Sequence, residues 1–201
     1  MAIQNFHLAN FMQNLRDGVR PNQFYVDLAL PAALQSLITN VGESQNKIRF
    51  LCKASSIPAS TVGEIAVPFR GQTFKLPGDR TFQDWEITVL NDKDFLLRDM
   101  FEQWSDMTVG HSQADRFDTG SDARDFMGSG EVNQLDRNGN VLKTYSMIGA
   151  WPGEISAIPV DMTSTDSIEE FTVSLKVQWW ESRTTRNNSA TSFGESGSSI
   201  L

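Results

Sequence analysis

Cysteine is almost absent from this 201-residue chain: there is one, Cys52. A lone cysteine excludes an internal disulfide, so a fold of this length must rest on an apolar core and suits a reducing or disulfide-indifferent compartment. Its place in the alternation Ile48, Phe50, Cys52 reads as a small buried residue of a strand. Long apolar runs are also missing. Nowhere do about 18 apolar residues follow one another, and residues 1–20 carry no basic segment leading into an apolar stretch, so neither a membrane-spanning helix nor a signal peptide is expected. Positive charge is in deficit, with 17 Lys and Arg against 25 Asp and Glu and a net charge of -8. That sign opposes any affinity that depends on neutralising phosphates. The two histidines, His7 and His111, have no cysteine or carboxylate at zinc-ligand spacing. No metal or cofactor site is expected, and no Gly-rich phosphate loop is present.

What the chain does have is alternation. Phe171, Val173, Leu175, Val177 and Trp179 interleave with Thr172, Ser174, Lys176 and Gln178, the period of two that describes a strand with one apolar face. The pattern predicts one long strand ending near Glu181. It recurs at Trp85, Ile87, Val89, at Ile65, Val67, Phe69 and at Phe24, Val26, Leu28. Fold class is therefore mainly β. Residues 1–20 read as an N-terminal arm, residues 21–181 as one β-barrel or sandwich domain, and the Ser-, Thr-, Asn- and Gly-rich residues 182–201 as a polar tail unable to bury a core.

Between these strands, one or two helical turns are predicted over residues 32–38 and a strand over 48–54. Pro58 and Pro68 exclude helix from an extended region over residues 55–76, in which Arg70, Gly71 and Gln72 turn one strand into the next. Pro77 and Gly78 have the residue types of a type II turn. After Asn91 or Asp92, either of which can cap a helix, Leu97, Phe101 and Trp104 with Leu96 and Met100 make one apolar face, predicting a single flanking helix over about 92–105. Residues 105–130, with Gly110, Gly120, Gly128 and Gly130, read as a long loop. A hairpin follows, turning at residues 136–140, before Trp151, Pro152 and Gly153 break the chain.

Few motifs carry chemistry. Phe117, Asp118, Thr119, Gly120 and Ser121 match the aspartic-protease signature, in which two such carboxylates share one proton. The apolar flanking strands that bury such an Asp are replaced by Asp115, Arg116, Asp122 and Arg124, and no second copy exists, so only a homodimer could complete the site. Asp136, Asn138 and Asn140 begin like a calcium loop, but Gly139 comes two places early and no glutamate closes it. Of the adjacent Trp179 and Trp180, alternation makes one core and one outward; Trp180, read as outward, becomes a candidate for a protein interface or for ligand stacking.

Three blocks carry a family resemblance: residues 51–80 (LCKASSIPASTVGEIAVPFRGQTFKLPGDR), residues 81–104 (TFQDWEITVLNDKDFLLRDMFEQW) and residues 145–161 (YSMIGAWPGEISAIPVD). In this order they resemble the tail tube protein of contractile-tailed, T4-like bacteriophages. The resemblance implies a homo-oligomer of hexameric rings stacked into a tube within the virion. It also implies tail sheath, baseplate and tail terminator proteins as partners, and DNA passing through the lumen without sequence-specific binding. It implies no catalysis. The segment over residues 55–76 would then contact other subunits, making Ile57, Pro58, Ile65, Val67 and Phe69, with Trp180, the expected inter-subunit residues. The acidic balance suits a lumen that repels a duplex. The competing readings are the tube of a related contractile device, a β-sheet ligand-binding module using Trp180, and a dimeric protease using Asp118.

Overall fold

The alternating segments build two antiparallel sheets that share a strand. The computed structural model describes residues 7–16, 18–38, 41–109 and 125–184. In chain order the elements are α1 (Leu8–Leu15), β1 (Phe24–Ala29), α2 (Ala32–Leu37), α3 (Val41–Leu51), β2 (Cys52–Ser55), β3 (Ser60–Phe69) and β4 (Gln72–Phe82). They continue as β5 (Trp85–Leu90), α4 (Leu96–Thr108), β6 (Gly128–Leu135), β7 (Val141–Ile155), β8 (Glu170–Lys176) and β9 (Trp179–Thr184). The main path runs β1-β6-β7-β8-β5-β2, with β9 also on β7; among the described residues β3 and β4 pair only with each other.

β7 is the shared strand. Its first part pairs with β6 on one side and β9 on the other, and its last residues, Trp151 to Ile155, pair with β8. Trp151, Pro152 and Gly153 therefore do not break the chain. They lie within β7 where it passes between sheets, and a register shift between Pro152 and Glu154 accommodates the missing proline N–H. The long final strand is correspondingly divided. β8 pairs with β5 and the end of β7, the chain is interrupted at Val177 and Gln178, and β9 pairs with the start of β7. Gln178 N–H donates to Ile148 O at 3.1 Å across this corner.

The core joins Val26 and Leu28 of β1, Trp85, Ile87 and Val89 of β5, and Phe171, Val173 and Leu175 of β8, all essentially inaccessible. Leu97, Met100, Phe101 and Trp104 of α4 close it from outside, so the apolar face expected after Asn91 is the one used. The helix starts later than expected because Phe95 takes a left-handed conformation (φ 54°). Asp92 caps from a distance: its Oδ1 accepts from Leu96 N–H at 3.1 Å, while its Oδ2 accepts from Lys47 Nζ at 2.6 Å. That hydrogen bond raises the Lys47 ammonium above its ordinary range and ties α3 to the start of α4.

α3 is a correction to the strand expected over residues 48–54, which survives only as β2. Val41, Ser44, Ile48 and Leu51 form the inward stripe at spacings of three and four. Phe50 points into solvent at 84% exposure. A buried serine in the stripe concealed the helical period. Cys52 follows the helix and is partly rather than fully buried.

Gly128 and Gly130 are likewise not loop markers but residues of β6. A Cβ on Gly130 would lie 2.4 Å from the Trp85 ring, and one on Gly128 would lie 2.6 Å from Ala29 O and 3.1 Å from Trp104. Both indoles thus lie against bare backbone, with their polar ends satisfied. Trp85 Nε1 donates to Ser55 Oγ at 3.0 Å. Trp104 Nε1 donates to Phe126 O at 2.8 Å. The β6–β7 hairpin turns where expected. Asp136 Oδ1 accepts from the N–H groups of Asn138 at 2.7 Å and Asn140 at 2.9 Å. The calcium-like spacing is therefore an Asx turn.

Replacing Gly130 by Ala should destabilise the fold by about 1–3 kcal/mol through overpacking against Trp85, read as a lower urea midpoint at unchanged slope. The hydrogen bonds from Asn140 and Asn138 hold the Asp136 carboxyl below its ordinary value of 3.8. Because the folded pKa is the lower one, this stabilisation is present above pH 3.8 and lost as pH falls through the depressed value. Amide-exchange protection in the turn should follow that titration, and Asp136→Asn should abolish the pH dependence.

Candidate assembly interface

β3 and β4 form a hairpin that stands apart from the shared sheets. Its turn is made by Arg70 (φ 45°) and Gly71 (φ 86°), with Phe69 paired to Gln72. Positive φ at both central residues is the type I′ arrangement, whose twist matches that of the strands it joins. The turn expected at Arg70, Gly71 and Gln72 is the turn observed. Pro77 and Gly78, in contrast, lie inside β4, opposite the register shift between Val62 and Glu64. The proline falls on a strand with no further neighbour among the described residues, where its missing donor costs no ladder bond.

The register sorts the hairpin into two faces. Ile65 pairs with Leu76 and Val67 with Phe74, so these four and Phe69 share one face. Glu64, Ala66, Pro68, Thr73 and Lys75 occupy the other, where Lys75 Nζ and Glu64 Oε2 meet at 3.0 Å. The five apolar side chains are 41% to 67% exposed. Their uncovered area is on the order of a few hundred Å², the scale that marks interaction sites on monomers. Among the described residues both outer edges of the hairpin also lack a strand partner, leaving N–H and C=O groups open to pairing.

The base is fixed to the body. Gln83 N–H donates to Ala59 O at 2.9 Å, and Ser56 N–H to Glu86 O at 3.0 Å. Phe82, the last residue of β4, meets Trp180 edge to face with centroids 6.3 Å apart, and Trp180 meets Tyr145 at 5.9 Å. Trp180 is therefore not the outward tryptophan. It pairs with the buried Met147, packs against the core and seats the hairpin, while Trp179 is the exposed one. The interruption between β8 and β9 shifts the alternation by one residue, which is why the strand pattern misassigned the pair.

Of the expected contact residues, Ile65, Val67 and Phe69 come together on the open face. Ile57 is exposed at the hairpin base, and Pro58 beside it is buried within its own chain, away from the open face. Phe74 and Leu76 were missed, although continuing the alternation across Arg70 and Gly71 would have found them. The aspartic-protease-like segment around Asp118, and His111, lie outside the described residues. Among the described residues no group of three or more His, Cys, Asp or Glu is placed to hold a metal, and no helix is long and apolar enough to cross a membrane. Burial pushes the Cys52 thiol up to about 12, so it stays protonated near neutrality and is not a nucleophile.

The fold is that of subunits in contractile injection systems. A chain from the structure of an extracellular contractile injection system, the PVC sheath/tube terminator in the extended state, superimposes with a TM-score of 0.59 at 11% identity, covering 85% of this chain and 99% of that one. A chain from the sixfold-symmetrised anti-feeding prophage baseplate gives 0.55 at 11% identity, covering 83% and 95%. Sequence narrows the assignment. The chain belongs to the phage tail tube protein family, whose profile matches residues 19–183. Tail tube protein gp19 of Enterobacteria phage T4 is 32% identical over 156 residues, 77% of this chain and 92% of that protein. The chain is thus a structural component of the phage virion, as the resemblance in residues 51–104 and 145–161 implied.

Val67→Asp should leave the subunit folded, because Val67 lies outside the core. Its unfolding free energy should shift by no more than about 0.5 kcal/mol, the usual scale for a surface substitution. The same change should abolish assembly, checked by electron microscopy of variant and unmodified chains side by side. Normal tubes from the variant would show that this face is not a contact.

Proposed function

We propose that this chain assembles into hexameric rings that stack into the inner tube of a contractile phage tail, and that the genome passes through the lumen on delivery to the host. The uncovered apolar face of the β3–β4 hairpin carries the reading: a fold whose core is closed without it has no use for that face as a monomer. The family supplies the context, and a sixfold-symmetrised neighbour of the same fold supports the ring number.

The physics of such an assembly is simple. A contact that joins different patches on successive subunits closes into a ring when the rotation per subunit divides a full turn, and repeats as a filament when rings stack. Edge pairing between copies would satisfy the open strands β3 and β4. Sheath, baseplate and tail terminator proteins are the proposed partners, as the phage tail tube family implies; chains of the same fold occur in a sheath/tube terminator structure and a baseplate structure. The tube performs no chemistry and needs no cofactor. Residues 1–20 serve as an arm and the assembling domain runs from residue 21 to Thr184 rather than to 181, because Ser182, Arg183 and Thr184 pair with Tyr145, Thr144 and Lys143 of β7. With a net charge of -8, a lumen lined mainly by acidic side chains would keep the duplex from adhering.

Negative-stain electron microscopy of the purified full chain across a concentration series tests this reading. Hollow rings or tubes with sixfold end views are expected. Monomers at every concentration, with purified baseplate supplied as a nucleus, would overturn it.

A further inference from the structure

Among the described residues nothing covers α1. Leu8, Phe11, Met12 and Leu15 follow the i, i+3, i+4, i+7 spacing of one helix face, and all four are more than half exposed. No residue of the helix is buried and none carries charge. An isolated helix shorter than about 12 residues is marginal in water. A helix as short as α1 therefore depends on a partner. It also precedes residue 19, where the family match begins, so the match leaves it unexplained.

We infer that the apolar face of α1 docks on the apolar face of the β3–β4 hairpin of a neighbouring copy, an inference that rests on the proposed tube assembly. The two surfaces match in length. Leu8 to Leu15 spans roughly 10 Å at about 1.5 Å per residue, and Ile65 to Phe69 roughly 13 Å at about 3.3 Å per residue. They match in chemistry, since Leu8, Phe11, Met12 and Leu15, on a helix without charged residues, would meet Ile65, Val67, Phe69, Phe74 and Leu76, beside which the one charged group is Arg70 at the turn, 5.4 Å over the Phe69 ring. The hairpin's Glu64 and Lys75 lie on its opposite face. Phe50, by contrast, shares its groove with Glu43, Lys47, Asp92, Lys93 and Asp94. Because α1 is exposed here, the occupied hairpin belongs to another copy. Each subunit then gives one helix and receives one, the head-to-tail arrangement that a ring or stack requires.

The test uses the full chain carrying Phe11→Cys and Val67→Cys, assembled, oxidised and run on a non-reducing denaturing gel. A ladder of covalent oligomers from the double variant, with monomer from each single variant, is expected. Rings on the grid without a ladder, an internally linked monomer, or dimers from Phe11→Cys alone would each overturn the docking. As a second measurement, Phe11→Asp in the unmodified background should keep its circular dichroism and raise the concentration needed for assembly at least tenfold. Unchanged assembly would overturn the docking even if the cysteine pair failed to assemble. Failure of the unmodified chain to form rings would instead refute the tube reading itself.

Discussion

Strand β7 is hydrogen-bonded to β6, β9 and β8, and the two layers cannot shift relative to one another while it remains intact. The bend that lets it serve both sheets occurs at Trp151 to Glu154, and the interruption at Val177 and Gln178 lets β8 and β9 follow the same turn. With the layers held in this way, the inward faces of β1, β5 and β8 meet α4 around two tryptophans. Those indoles fit because two glycines of β6 leave the backbone bare beneath them. Backbone path and core packing are therefore one constraint.

That closed core defines what is left over. The β3–β4 hairpin and α1 contribute nothing to it, yet both are apolar on one side. Material of this kind on a virion structural subunit separates two stabilities: the core determines whether the monomer folds, and on the proposed reading the external faces serve association between copies. Trp180 connects them, since it packs on the core and also seats Phe82 at the hairpin base. The hairpin is in this way presented from a rigid body, which reduces the ordering cost of association.

Much of the fold was legible in the residues. The alternation at Trp85, Ile87 and Val89 is a strand with that face buried, Leu97, Phe101 and Trp104 face the core, and the turns at Arg70–Gly71 and at residues 136–140 occur where turn chemistry puts them. The misreadings share a cause. α3 carries a serine in its buried stripe, Pro77 and Pro152 lie within strands at irregularities, and Gly128 and Gly130 make room for rings far away in sequence. In each case a local signal was outweighed by a neighbour that sequence order does not reveal.

Of the open hairpin face, Ile65, Val67 and Phe69 could be grouped from periodicity, because period two reports which side chains share a face. Periodicity does not report whether that face meets the core or water. The sequence by itself determined strands β1, β3 and β5, the apolar face of α4, the turns at Arg70–Gly71 and residues 136–140, and the family. Tertiary structure alone decided that the final alternation is two strands, that Trp180 lies inward and Trp179 outward, and that the hairpin face stays open. The physical reason is that burial is a property of the whole packed chain: the same alternating pattern is core in β5 and exposed in β3, and only the presence or absence of a covering layer distinguishes them.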